Sequence, residues 1–190
     1  MNTFVYTGKV QGQTVPNKNG DGSHFEGTIG DLPNQWLFGR AGEAAAENVG
    51  RNVLVTGIIN SRQTDKGNHF ISPVIFDVVP ITNGARQNLV AFTGTITGVR
   101  RIKDGLYIAD VTIKTQGYDK KKKKRVEVEQ VIPVATGNVA DSDIGKDVAV
   151  VGTIEVRNGK FIDIRAQSFT VAGSNPAGDE GDDLDDDLPF

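Results

Sequence analysis

The chain has 190 residues, 24 acids, 21 bases and a formal charge of −3, with 37% hydrophobic residues, no cysteine and two distant histidines. The missing cysteine excludes disulfides, a catalytic thiol and every thiolate-bound zinc or iron–sulfur site. No apolar run approaches the ~20 residues of a membrane helix. The opening Met1-Asn2-Thr3-Phe4 lacks the basic and apolar stretches of a secretory signal, so the expected location is the cytoplasm.

The 23 glycines favour turns and short strands over long helices. Residues 4–12 alternate like a strand, with Gly8 inside. Trp36, Leu37 and Phe38 read as a further strand, and the Ala-rich residues 41–48 as a helix stopped by Gly50. Residues 50–58, the turn at 66–71 and the apolar residues 74–79 complete a first unit, and residues 80–88 are a polar connector. The pattern then recurs: residues 90–98 answer 4–12, residues 145–153 answer 50–58, and residues 158–162 answer 66–71. Their offsets are 86, 95 and roughly 92. Between them lie strands 107–116 and 126–134 and a weak, polar counterpart of the helix at 137–143.

The expected division is residues 1–84, residues 85–172 and an acidic tail from 173 to 190. Five strands with a helix between the third and fourth is the order of an OB-fold, a small Greek-key barrel. The predicted fold class is therefore all-β with a short helix: two tandem OB-folds and a disordered tail, whose composition buries too little apolar surface to order a chain. Glycines 8, 57, 94 and 152 fall inside strands, where bulges or barrel corners are expected. Phe4, Phe25, Phe76, Phe92 and Phe169 alternate with aliphatics and are assigned to the core.

The charge of −3 is an average. Seven acids and no base follow position 178, which leaves 17 acids against 21 bases in the rest. A mildly basic body and an acidic tail predict an anionic partner for one and a basic partner for the other. The strongest basic feature is Lys120, Lys121, Lys122, Lys123, Lys124 and Arg125, beside Tyr118, in the loop between the second and third strands of the second unit. Six bases there repel one another, and phosphates would relieve the repulsion and release counterions. Arg100, Arg101 and Lys103, in the preceding turn, are expected to extend that surface. Single-stranded nucleic acid is held by a basic groove together with aromatic platforms. Trp36 and Phe38, two apart on a strand, share a face. Phe70 and Phe161 occupy equivalent hairpin exits, and Arg40 and Arg62 are further candidates. Core packing is the alternative role for each aromatic.

The chain ends in Asp185-Asp186-Asp187-Leu188-Pro189-Phe190. Such a tip reads as a linear peptide ligand: the ring and proline for an apolar pocket, the carboxylates for a basic rim. This tip resembles the Asp-Asp-Asp-Ile-Pro-Phe ending of bacterial, phage and plasmid single-stranded-DNA-binding proteins, with Leu188 in place of isoleucine. The opening residues 1–10, the Trp36-Leu37-Phe38-Gly39-Arg40 stretch and residues 50–57 are also similar to that family. Phe38 falls at the family's stacking aromatic. The resemblance covers the first unit in part and the tip closely. Two departures stand out: the family's second and third strands look shortened between Thr14 and Asn34, and polar Gln63 and Thr64 replace a usual hairpin aromatic.

What the resemblance implies is sequence-independent binding and protection of single-stranded DNA in replication, recombination and repair. The tip would recruit genome-maintenance enzymes, and a homodimer would present four OB-folds. No enzyme activity, cofactor, metal, membrane or small-molecule substrate is expected. Bacterial, phage and plasmid origins all fit. Two alternatives stay open: a replisome adaptor whose barrels bind mainly protein, and an RNA-binding OB protein.

Overall fold

The computed structural model describes residues 1–65, 67–82, 84, 86–119 and 123–173. The first half contains β1 (Asn2–Pro16), β2 (Ser23–Ile29), β3 (Gln35–Leu37), the helix α1 (Gly39–Glu47), β4 (Asn52–Gln63) and β5 (His69–Pro80). The second contains β6 (Asn88–Lys103), β7 (Leu106–Asp119), β8 (Lys124–Thr136), a 3-10 turn (Asp141–Asp143), β9 (Asp147–Arg157) and β10 (Phe161–Val171). The strands run well past the lengths expected from sequence, because paired backbone continues through polar residues that carry no apolar alternation.

The second half closes on itself. β6 pairs β7, β7 pairs β8, β8 meets β10 in parallel, β10 pairs β9, and β9 returns to β6. This ring of five strands is the predicted OB barrel. The first half has the same order, with β1 between β2 and β4, but β3 is three residues long and bonds only β2 among the described residues. The gap toward β5 is covered by α1, which packs on β5 and β2. The helix turns Ala41, Gly42 and Ala45 inward, and Gly42 sits where any Cβ would strike the Leu37 carbonyl. It stops where expected: Asn48 Nδ2 donates to the Ala44 carbonyl at 2.8 Å, and Gly50 takes φ +82°. The second barrel, already closed by sheet, retains only the 3-10 turn.

Alternation fixes the cores. Every second residue of β4 from Val53 to Ser61 is buried, and Phe4, Phe25, Ile29 and Ile59 are at 1% exposure or less. Phe92, Ile96, Ile132 and Ile164 play the same part in the second barrel. Each such side chain contributes about 1.5–3 kcal/mol relative to an exposed one. Phe76 is a correction to the sequence reading: it is 53% exposed. The β4–β5 register jumps from Thr56↔Asp77 to Gly57↔Ile75, so Phe76 is the unpaired residue of a bulge. The bulge shifts the phase of β5: Ile71, Pro73 and Ile75 face in before it and Val78 after it, leaving Phe76 outside. The jump recurs in β10 between Ala166 and Ser168, opposite Gly152 and Val151. The bulges expected at Gly57 and Gly152 are therefore present. Gly8 and Gly94 instead mark close backbone approaches, of Gly30 and of the Thr112 carbonyl respectively.

The barrels are joined through β1 and β6, which pair antiparallel from Asn2↔Phe92 to Tyr6↔Asn88. The sheet thus runs β4-β1-β6-β9 without a break. With the repeat offset of 86, Phe4 and Val90 are equivalent positions, and they face each other. A pseudo-two-fold axis therefore passes through that rung, and the contacts around it come in twos. Thr7 N donates to the Gln87 carbonyl at 2.9 Å, and Thr93 N to the Met1 carbonyl at 3.0 Å. Asn2 brackets the backbone of Ile59 (Nδ2 to O 2.7 Å, N to Oδ1 3.1 Å), as Asn88 brackets that of Ile154 (2.8 and 2.8 Å). In both places an asparagine amide supplies one more rung where its own backbone is committed to the other barrel.

Candidate nucleic-acid interface

β3 is short, and its burial alternates: Gln35 and Leu37 face in and Trp36 faces out. Phe38 continues the extended backbone (φ −110°, ψ 158°) before Gly39 turns the chain into α1. Trp36 and Phe38 therefore share the outer face, 64% and 62% exposed. Core packing is excluded for both. One position beyond the Phe25↔Leu37 rung, His24 on β2 stacks on Phe38 with ring centroids 5.1 Å apart and 25° between planes. His24 Nδ1 lies 2.8 Å from Asn17 Oδ1, a contact that ties the ring to the β1–β2 turn. The result is a ledge of three rings, two of them open to solvent. Arg40 is exposed in the first turn of α1, where no acid accompanies it. A cation at that end opposes the helix dipole, and an anion on the ledge would offset it.

A second aromatic feature is duplicated. Arg62 lies over Phe70 at 5.2 Å, and the two are cross-strand partners at the β4–β5 hairpin. Arg157 lies over Phe161 at 5.8 Å, partners at the β9–β10 hairpin. Phe70 is half-buried and Phe161 46% exposed. Each clasp holds a flat guanidinium against a ring in a cation–π pair, and both offer edges against which a planar base packs. The clasps are not identical. Asp163 grips Arg157 with both oxygens (Nε–Oδ2 3.0 Å, Nη2–Oδ1 3.3 Å), whereas Ser72 occupies the matching place near Arg62.

Cations of the second barrel divide into engaged and unengaged groups. Arg100 pairs with Asp110 at 2.9 Å, Arg101 with Asp104, Lys114 with Glu127 at 3.4 Å, Lys146 with Asp143 at 2.9 Å and Arg165 with Glu155 at 3.3 Å. Lys123, Lys124 and Arg125 are exposed at the tip of the β7–β8 hairpin, with no carboxylate paired to them among the described residues. Lys103 is exposed too. The expectation that Arg100, Arg101 and Lys103 extend the hairpin's basic surface is corrected. They flank the β6–β7 turn, at the opposite end of a 14-residue strand from the tip.

The structure thus puts Trp36 and Phe38 on one outer face with Arg40 in the first turn of the helix that follows, places Arg62 with Phe70, and gives Phe161 a partner. Lys66, Lys120, Lys121, Lys122 and the tail residues Asp185, Asp186, Asp187, Leu188, Pro189 and Phe190 lie outside the described residues, as does the side chain of Tyr118. Two participants were missed in the sequence. Arg157 was recoverable, since it stands 95 positions after Arg62, the offset that relates β4 to β9. His24 carried no signal, because only the β2–β3 register places it beside Phe38.

No protein-family model and no curated protein matches this sequence. Among solved structures, the fold is similar to that of wild-type single-stranded DNA binding protein from Thermus aquaticus. The TM-score is 0.56 at 13% identity, and the match covers 94% of this chain and 96% of that one. The likeness is one of fold, and it spans both barrels.

Proposed function

We propose that the chain is a non-enzymatic, sequence-independent single-stranded-DNA-binding protein acting in replication, recombination and repair. The observation that carries the reading is the exposed ledge of Trp36 and Phe38, with His24 stacked on Phe38, on a fold that matches a single-stranded DNA binding protein over nearly its whole length. Large rings are normally withdrawn from water, and two adjacent ones held open on a rigid strand suit base stacking, worth ~1–3 kcal/mol per base. Lys123, Lys124 and Arg125 supply charge for the backbone. In this reading residues 1–84 and 85–172 are the two binding units, and the tail 173–190 presents Asp185, Asp186, Asp187, Leu188, Pro189 and Phe190 to replication and repair proteins in the cytoplasm. Two chains associate to present four barrels.

Trp36 is the sole tryptophan, so its emission reports directly on the ledge. Titration with oligo-dT is expected to quench it, with affinity falling steeply as salt rises. Light scattering is expected to give twice the chain mass of 20.4 kDa. Unquenched emission and no retention of oligo-dT would leave the protein-binding adaptor as the better account. Tighter binding of oligo-U would favour RNA.

A further inference from the structure

The two barrels are related by an internal two-fold, yet their surfaces have diverged in opposite directions. Residues 1–84 hold 6 bases and 7 acids; residues 85–172 hold 15 bases and 10 acids. The aromatics run the other way. Trp36, Phe38 and Phe76 are more than half exposed in the first half, against Phe161 alone in the second among the side chains described, at 46%. The hairpins differ to match. In the first barrel β3 is cut to three residues and displays rings; in the second its counterpart β8 has thirteen and begins in exposed cations with no carboxylate partner among the described residues. Even the duplicated clasp follows the division, since Asp163 neutralises Arg157 while no carboxylate among the described residues holds Arg62.

β8 also connects the two surfaces. Gln130 on β8 accepts a hydrogen bond from the Ser61 amide of β4 at 3.0 Å, one residue before Arg62. Lys124 is six residues along the same strand, a distance of about 20 Å at ~3.3 Å per residue. The basic tip and the first barrel's Arg62–Phe70 rung therefore lie within reach of one short oligonucleotide.

We propose that the grip is chemically split: the first barrel holds bases by stacking, and the second holds phosphates through Lys123, Lys124 and Arg125 on an arm braced against the first. The inference rests on the single-strand reading above. It differs from a pair of equivalent subsites, in which each barrel would contribute both kinds of contact. A split grip has two separable signatures. Phosphate contacts release counterions and set the salt slope, about 0.7 per contact for a single strand. Stacking contacts set the affinity at every salt concentration and leave that slope unchanged.

The test measures anisotropy of labelled oligo-dT with the full chain across a salt series. Three variants are compared with wild type: Lys123→Ser/Lys124→Ser/Arg125→Ser, its charge-keeping counterpart Lys123→Arg/Lys124→Arg, and Trp36→Ala/Phe38→Ala. The substituted side chains are exposed, and circular dichroism melts verify that each variant folds. The serine variant is expected to lower the salt slope by about 2, with the arginine variant close to wild type. The aromatic variant is expected to lose tenfold or more in affinity at all salts with an unaltered slope. Equal slope changes in the serine and aromatic variants would overturn the split, as would an unchanged slope in the serine variant. Absence of wild-type binding at any salt would overturn the single-strand reading and the split with it.

Discussion

At the scale of single residues, Asp143 shows how one side chain can replace an element. Its carboxylate takes the Lys146 ammonium at 2.9 Å and the Ala140 amide at 2.9 Å. The Lys146 bond chiefly, and the Ala140 amide next, hold its pKa below the ordinary carboxylate value. A lowered pKa stabilises the fold above the ordinary value of about 3.9 and ceases to as pH falls through the depressed one. Asp143→Asn keeps an acceptor for the Ala140 amide and loses the ion pair with Lys146, so it is expected to lower Tm by no more than about 2–4 °C at pH 7, the effect of an ion pair worth up to ~1 kcal/mol. The difference from wild type should close as pH falls through the depressed carboxylate pKa, and a gap that persists once the carboxyl is protonated would refute the charge-based account. Trp36, Phe38 and Arg62 were legible as candidates from spacing and residue type alone. The cation–π partner of Phe161 was not, because its signal lay in a second copy of the sequence rather than in the neighbourhood of Phe161.

At the scale of elements, the paired bulges in β5 and β10 explain both a success and a failure of sequence reading. Glycine inside a strand marked their position correctly. A Cβ on Gly57 would strike the Val74 carbonyl, and one on Gly152 the Arg165 carbonyl. Gly57→Ala and Gly152→Ala are each expected to destabilise by about 1–3 kcal/mol, the usual cost of overpacking, read as a lowered urea midpoint. Two variants as stable as wild type would show that the crossing backbones yield easily. The phase change that follows a bulge is invisible to alternation, which is why Phe76 was assigned to the core. Strand ends were illegible for a related reason: β7 and β8 continue through polar residues held mainly by cross-strand backbone bonds. The missing β3–β5 pairing was equally hidden, since nothing local states that α1 covers the gap.

At the scale of the whole molecule, the seam of β1 and β6 makes one body of two barrels. The ordered repeat forecast two units; their mode of union depended on partners some 86 residues apart and left no trace in sequence. Removing Asn2 and Asn88 together, as alanines, leaves the amide and carbonyl of Ile59 and Ile154 short of partners. The expected loss is about 1–3 kcal/mol for each site, seen as a single cooperative melt at lower temperature. A melt that splits into two steps would mean that the barrels are stable apart. The two-fold through Phe4 and Val90 has one more effect. Nucleic acid is directional, with a 5′ and a 3′ end, and a rotation of 180° reverses the direction of anything laid straight across its axis. Two identical barrels so related would meet a straight strand in opposite polarities and could not both read it alike. Barrels that ask different things of the strand escape this conflict, because a ring that stacks on bases and a lysine that meets phosphates need not agree on which way the strand runs.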